Sequence, residues 1–498
     1  MEKYDFCIVG GGPVGIITAN RLSTYRKKVV LIELGNKEIS KEKYNSKVII
    51  NSENFKIHNN ILMLGGASNF WEGRVGKMMN IDFKKREWIK NSGWPFQINE
   101  LDLFYKKAHK LLELINPYEY EEQLSYKYLS KLLDKNFLKI LNSKNFFIRG
   151  MQYMKKEKRN FNFLINGKFK ILLEHEALSF NTKENQITSV NVKNKGQIKK
   201  IFSNNFVLAC GGIENSRLIM QSKDIKKNFY LGKFFQDHPC GVSASIKLNK
   251  KYIKQFKYLD RKVSIKDFVE FNINPDEKFQ IINKILNICF ELRLSKLSHA
   301  DTLTIEKYGI NSKYKLLQQL KSPFKFLNSI GLKEFLKIVK INLKKLINKI
   351  RNIEPYLLII AKVEEVPNLR NKIKLDNGKI KINYKYDELV LDTTRIATKN
   401  LLELFELNNL GKGTLVENLD NLKKFNNSFT TGNHPIGSTR ISDTPEHGVV
   451  DRNLKYHFLD NLHILGSSTF PTGSNTNPTF TSIALALRFV EHMLKKYK

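Results

Sequence analysis

The sequence predicts an α/β fold with α+β pieces attached, and three observations predict it. Residues 4–35 run through an apolar strand, a glycine turn, a helix and a second strand. Residues 169–209 alternate in short strands with a turn at Asn194-Lys195-Gly196, the pattern of a small β-meander beside a parallel sheet. Residues 434–487 place a histidine ahead of a glycine-rich turn and an Asp-containing strand segment; a polar loop, Asn477-Pro478-Thr479, then opens an apolar helix. A chain of 498 residues holds roughly two to four domains' worth of material. Its 41% apolar content, with 33 Phe and 19 Tyr, marks a folded protein rather than a disordered one.

The opening unit carries Gly10-x-Gly12-x-x-Gly15, with Pro13 inside it, directly after the first strand. Glycines there permit a tight turn and let backbone N–H groups approach a pyrophosphate at the helix N-terminus, where the helix dipole favours negative charge. The second strand, Val29 to Ile32, ends at Glu33, 18 residues after Gly15, where a carboxylate can accept hydrogen bonds from an adenosine ribose. The glycine pattern alone is weak. Strand, helix and acid together make it a dinucleotide site, against the plainer reading of a glycine-rich strand–helix junction. Further on, Gly65-Gly66 with the small Ala67-Ser68 lets backbone lie against a flat ligand. On their own, Trp71 and Arg74 read equally well as packing and salt-bridging residues.

The formal charge of +36, from 84 basic and 48 acidic residues, reads first as a lysine-rich surface and second as an invitation to an anionic partner. No nucleic-acid-binding module and no interleaving of basic and aromatic residues is present, which argues against nucleic acid. Cys7, Cys210, Cys240 and Cys289 form no CxxC and no metal-ligand spacing, so no metal site is expected and a reducing compartment fits. The first residues enter a strand without a signal-peptide pattern, and no apolar run reaches the roughly 18 residues of a membrane span. The expectation is a cytoplasmic protein, with a membrane-peripheral one as the alternative.

Several motifs follow in a fixed order: GGASNFWEGR (65–74), DFKKREW (82–88), SGWP (92–95), FVLACGGIENSR (206–217), LGKFFQDHP (231–239), EEVPNLRN (364–371), NHPIGSTR (433–440) and NTNPT (475–479). Together they resemble the glucose-methanol-choline (GMC) family of FAD-dependent oxidoreductases, and within it the bacterial sugar and polyol dehydrogenases and pyranose oxidase-like members. Cover is weak over 105–165 and 242–355. The resemblance implies a discontinuous fold. A Rossmann-like FAD domain would be built from 1–85, 169–240 and 430–498. A substrate domain on an antiparallel sheet with helices would take 86–168 and 241–429.

It also implies roles. His434 falls on the family's catalytic histidine, and a neutral imidazole suits removal of a hydroxyl proton because its unperturbed pKa of about 6.5 lies near working pH. Asn477 falls on its partner, an amide that orients the substrate oxygen; the plain reading of Asn477 is a helix cap. Residues 478–480 would meet the negative charge of reduced flavin at a helix N-terminus. The implied cofactor set is Gly10, Gly12, Pro13, Gly15, Glu33, Gly65, Gly66, Ser68, Asn69, Ala177, Ala209, Gly211, Asn215, Ser467, Asn477, Pro478 and Thr479. Phe70 stands where relatives with covalent flavin carry a histidine, so FAD is expected to be non-covalent. Glu72 replaces a usual glycine and either alters the flavin edge or points to solvent. His238 is read as structural or flavin-adjacent, and His447, His457 and His463 as surface or packing residues.

The implied activity is oxidation of the CH–OH group of a sugar-like alcohol, with the electron acceptor open. A flavoprotein of the same fold using lyase-type chemistry is the alternative, as is a membrane-peripheral flavin-binding protein. Residues 313–351 bear on the last, with eleven basic residues and one acid, Glu334. Phe335-Leu336, Val339, Leu343, Leu346-Ile347 and Ile350 recur at helical spacing, with Lys333, Lys337, Lys340 and Lys344 on the other face. Two readings stand: a helix whose apolar face caps the substrate domain, or one lying on an anionic membrane or over a phosphorylated substrate.

Overall fold

The computed structural model describes residues 2–38, 48–51, 62–116, 129–143, 145–264, 266, 268–297, 332–350 and 354–497. Two sheets organise it. In the first, the strand order is Lys170–Leu172, Val29–Ile32, Lys3–Val9, Gln197–Leu208, Gln186–Asn194, Glu176–Lys183. The Lys3–Val9 strand pairs in parallel with Val29–Ile32 and with Gln197–Leu208, whose end also pairs in parallel with Leu462–Ile464. The near-unbroken apolar runs of the central strands follow from burial on both sheet faces. The outer three strands are antiparallel, and the turn between two of them uses Lys195 and Gly196, both at positive φ. The helices Pro13–Thr24 and Thr479–Lys496 pack on each other, and Asp102–Leu111 packs on the latter. Ile16, Ile17, Leu22, Ile483 and Leu487 bury with the central strands in one apolar core.

The second sheet runs Gly411–Leu415, Pro239–Leu248, Tyr356–Val363, Ile288–Ser295, Val269–Pro275, Phe146–Tyr153, Arg74–Val75 and is antiparallel throughout. In the strand Val269–Pro275 apolar and polar residues alternate up to Asn274. Val269, Phe271 and Ile273 enter a second core with Phe290, Leu292, Ile359 and the helix Glu388–Leu407. The alternate positions, Glu270, Asn272 and Asn274, put a polar row on the opposite face.

A buried polar joint ties the two sheets together. Arg86 donates two hydrogen bonds to Glu364, at 2.7 and 2.6 Å, with both side chains almost wholly buried. Asp82 accepts from the Met79 amide, from Asn287 Nδ2 and from Ser474 Oγ, while its carbonyl accepts from Thr472 Oγ1. Trp94 Nε1 donates to Thr472 Oγ1, and Asn475 Nδ2 to Asn287 Oδ1. The DFKKREW, SGWP and EEVPNLRN motifs therefore meet in one place. There they hold the loop at 472–476.

Of the basic segment 313–351, the structure describes the helix Leu332–Ile350; 313–331 and 351 lie outside the described residues, as do Asn60 and Ile61. Leu336, Val339, Leu343 and Ile347 are exposed, and among the helix side chains described Ile338 and Ile341 are buried. Ile338 and Ile341 lie on the side of the helix away from Leu336, Val339, Leu343 and Ile347.

Candidate active site

A cleft of about 330 Å³ opens at the carboxyl ends of the parallel strands, where open α/β sheets bind ligands. Gly10, Gly12, Pro13, Glu33, Gly66, Ala177, Ala209, Gly211, Ser467, Pro478 and Thr479 line it, as do Gly11, His175 and Gly466, which the motifs did not single out. The remaining predicted residues brace it. Gly15 lies so close to the strand end that a Cβ there would be 1.9 Å from the Gly10 carbonyl oxygen. The Gly65 amide donates to the Gly11 carbonyl at 2.7 Å, Ser68 Oγ to the Gly65 carbonyl, and Asn69 Nδ2 to the carbonyls of Leu64 and Gly66. Asn215 joins two cleft turns: its Oδ1 accepts from the Cys210 amide, and its Nδ2 donates to the Leu465 carbonyl and Ser468 Oγ.

Glu33 lines the cleft and is also engaged within the chain. Its two oxygens accept from the Gly11 and Gly35 amides, at 2.6 and 2.7 Å, so it clamps the glycine turn from behind. Burial raises its pKa, and the amide hydrogen bonds oppose that shift.

The glycines test whether a dinucleotide fits. Gly10, at φ +108, is demanded by the protein itself, since a Cβ would meet the Ala209 carbonyl at 2.5 Å. Gly12 is different. Its φ of −77° and ψ of −178° suit any residue, and a Cβ there meets no protein atom within 4 Å. The missing side chain leaves the turn open to the cleft, where a pyrophosphate fits against the backbone. The helix Pro13–Thr24 has no side-chain cap, and its first helical hydrogen bond is Ile16 N–H to the Gly12 carbonyl. That leaves the Val14 and Gly15 amides free for an anion. Gly12→Val is accordingly expected to fold with an unchanged circular dichroism spectrum. Its affinity for added FAD should fall by about tenfold or more, the size of a typical overpacking cost of roughly 1–3 kcal/mol; titration by flavin fluorescence reads it.

At the other end of the chain, Asn433 and Pro435 on either side of His434 line the cleft, as do Pro478, Thr479 and Ser482 after Asn477. The helix Thr479–Lys496 also has no side-chain cap, which corrects the capping reading of Asn477. The Asn477 amide is half-buried and makes no hydrogen bond with any described residue. The first-turn amides of this helix likewise face the cleft end unpaired.

His434 is half-buried, and its Nδ1 lies 3.0 Å from Nδ1 of His238, with the rings edge to face at 5.0 Å. His238 Nε2 is 3.1 Å from the Gly473 carbonyl. Asp237 Oδ1 accepts from the amides of both His238 and His434, at 2.6 and 3.0 Å, fixing the two segments together. Desolvation holds both imidazoles neutral: His238 falls to about 4, and His434 lies well below the ordinary histidine value, helped by His238, Arg74 and Lys362. The sequence reads His238 as structural or flavin-adjacent, and its partner stands 196 positions away. The paired DHP and NHP signals are the only hint. His463, by contrast, is a packing residue against Phe489.

The polar row of the antiparallel sheet completes the surroundings. Arg74 pairs with Glu270 at 3.1 Å, Lys362 with Glu291 at 2.6 Å and Arg261 with Glu270 at 3.1 Å. Glu72 points to solvent, where it pairs with Arg261. Asn475 reaches Asn274 from the 472–476 loop.

The comparisons with known proteins bear on this arrangement. The GMC oxidoreductase family description matches residues 367–486, the stretch holding both NHP and NTNPT. A formate oxidase structure covers 99% of this chain and 98% of its own at 15% identity and a TM-score of 0.60. The GMC oxidoreductase fold is present. The pyridoxine 4-oxidase from Mesorbium loti shares it, at 14% identity, 99% of both chains and a TM-score of 0.60. So does a fungal aryl-alcohol oxidase, at 12% identity, 100% of both chains and a TM-score of 0.58. In sequence, the fructose dehydrogenase large subunit of Gluconobacter japonicus is 26% identical over 148 residues. That match spans 28% of this chain and a quarter of the relative's length.

Proposed function

We propose that this protein is an FAD-dependent GMC oxidoreductase that oxidises the CH–OH group of a sugar, polyol or related alcohol. The observation that carries the reading is a cleft lined by the glycine turns, flanked by the segments that hold a neutral His434 and an unengaged Asn477 amide. FAD, when bound, supplies a hydride acceptor. Gly10, Gly12, Pro13, Gly66, Ala177 and Gly211 would hold it along the cleft. His434 takes the hydroxyl proton as the C–H bond yields its hydride, and the Asn477 amide donates to the substrate oxygen and orients the carbon. The amides at the start of the closing helix favour negative charge on the ligand beside them.

Several features support the finer points. Phe70 offers no nucleophile for a covalent link, so denaturation should release all the flavin. The polar row of Glu270, Asn272 and Asn274, with Arg74 and Lys362 near His434, suits a polyhydroxylated substrate. The similarity to fructose dehydrogenase points the same way. Oxygen consumption during turnover separates an oxidase from a dehydrogenase with another acceptor. Lyase-type use of the flavin is tested by whether alcohols reduce it without oxygen.

We also propose that the helix Leu332–Ile350 rests on an anionic membrane surface. Its exposed face sets Leu336, Val339, Leu343 and Ile347 beside Lys337, Lys340 and Lys344, an apolar stripe edged with positive charge. Each lysine near such a surface contributes about 1 kcal/mol. The protein should co-sediment with vesicles containing phosphatidylglycerol and not with pure phosphatidylcholine. Leu336→Ser with Leu343→Ser, or Lys337→Gln with Lys340→Gln and Lys344→Gln, should each weaken this at least tenfold. Equal binding by the variants sinks the idea.

A further inference from the structure

We infer that His238 is a positioning residue that fixes which nitrogen of His434 acts as the base. The inference rests on the proton-abstracting role proposed above and deepens it. A carbonyl oxygen only accepts, so the 3.1 Å contact between His238 Nε2 and the Gly473 carbonyl requires a proton on that nitrogen. A neutral imidazole carries one ring proton, which leaves His238 Nδ1 as an acceptor. It lies 3.0 Å from His434 Nδ1, and that contact needs a proton between the two nitrogens. The proton therefore belongs to His434 Nδ1, and the lone pair of His434 falls on Nε2.

The chain of assignments runs from Gly473 to His238 to His434, and every link is a heavy-atom distance within hydrogen-bond range. Burial maintains it: with His238 held at about 4, both rings stay neutral and each keeps one donor and one acceptor nitrogen. Asp237 supplies the rigidity by accepting from the amides of both histidines. Gly473 has a second consequence. It sits in the loop that leads to Asn477, so one hydrogen-bonded chain sets the direction of the basic nitrogen and the path of the loop carrying the orienting amide. When substrate is deprotonated, its proton is received at Nε2 of His434, and the imidazolium formed then has two donor nitrogens. Nδ1 still donates to His238, so no hydrogen bond is broken in the step.

The test uses the FAD-loaded full chain labelled with ¹⁵N-histidine, with ring-nitrogen shifts assigned by comparison with His434→Gln. The expected result is a proton on Nδ1 and a bare Nε2 at His434; a proton on Nε2 overturns the inference without touching the flavin assignment. Kinetics give a second arm, using D-fructose, D-glucose or benzyl alcohol, whichever bleaches the wild-type flavin fastest. His238→Asn keeps an acceptor near the Nδ1 position and should hold flavin reduction within about threefold. His238→Gln and His238→Phe lose that acceptor and should lower the limiting rate about tenfold, with KM within about twofold and FAD still bound. Equal rates in the Asn and Phe variants overturn the inference. A wild-type flavin that no alcohol reduces counts against the proposed activity instead, and the ring-nitrogen shifts still decide the tautomer.

Discussion

His434→Ala should bind FAD as tightly as the wild type and reduce it roughly 10²- to 10⁴-fold more slowly, the range for losing a positioned general base. The separation of binding from chemistry follows from where His434 stands. It is not itself among the residues lining the cleft, whereas its neighbours Asn433 and Pro435 are. Truncation at Cβ removes the imidazole and leaves the backbone amide of residue 434 in place to donate to Asp237. It also removes the partner of His238 Nδ1, which can then accept from water. The effect should therefore fall on the limiting rate of flavin reduction and be visible in a single turnover. Loss of flavin instead of rate would assign His434 to the cofactor site.

Glu364→Gln should cost about 3–5 kcal/mol of stability, more than any cleft substitution discussed above. The change is nearly isosteric, so the loss is electrostatic. Arg86 stays 2% exposed and loses the carboxylate that it hydrogen-bonds, with Asp82 the remaining nearby acid, and breaking a buried pair from one side is expensive. Glu364 also accepts from the Asn287 amide at 3.0 Å, and Asn287 in turn holds Asp82 and Asn475. Weakening this joint loosens the 472–476 loop as well as the contact between the sheets. Denaturant titration of the FAD-loaded protein would measure it, and a loss under 1 kcal/mol would mean that the joint is not a stability determinant.

Much of the cofactor end was legible in the sequence because its signals are local. A strand, three glycines, a helix and an acid within some thirty positions need no tertiary information, and the cleft contains Gly10, Gly12 and Glu33 as expected. His434 and Asn477 were legible through motif resemblance. The function of the motifs between them was not. Asp82, Arg86 and Glu364 were recognisable as a recurring pattern, yet only the fold reveals that Arg86 and Glu364, 278 positions apart, close one buried pair. His238 was undervalued for the same reason, since nothing local marks a ring whose partner is in another motif. The basic helix was legible only in part. Leu336, Val339, Leu343 and Ile347 share one side as periodicity expects, while Ile338 and Ile341 are buried on another, and periodicity does not say which side a protein turns inward.

The central claim is that an alcohol delivers hydride into the cleft while His434 takes its proton. Mixing the purified yellow protein anaerobically with a panel of sugars, polyols and simple alcohols, and following the flavin's visible absorbance, tests it most directly. The account predicts that at least one of them bleaches the flavin in the wild type and does so at least a hundredfold more slowly in His434→Ala. A flavin-loaded protein that no alcohol bleaches, or one bleached equally fast without His434, would contradict it.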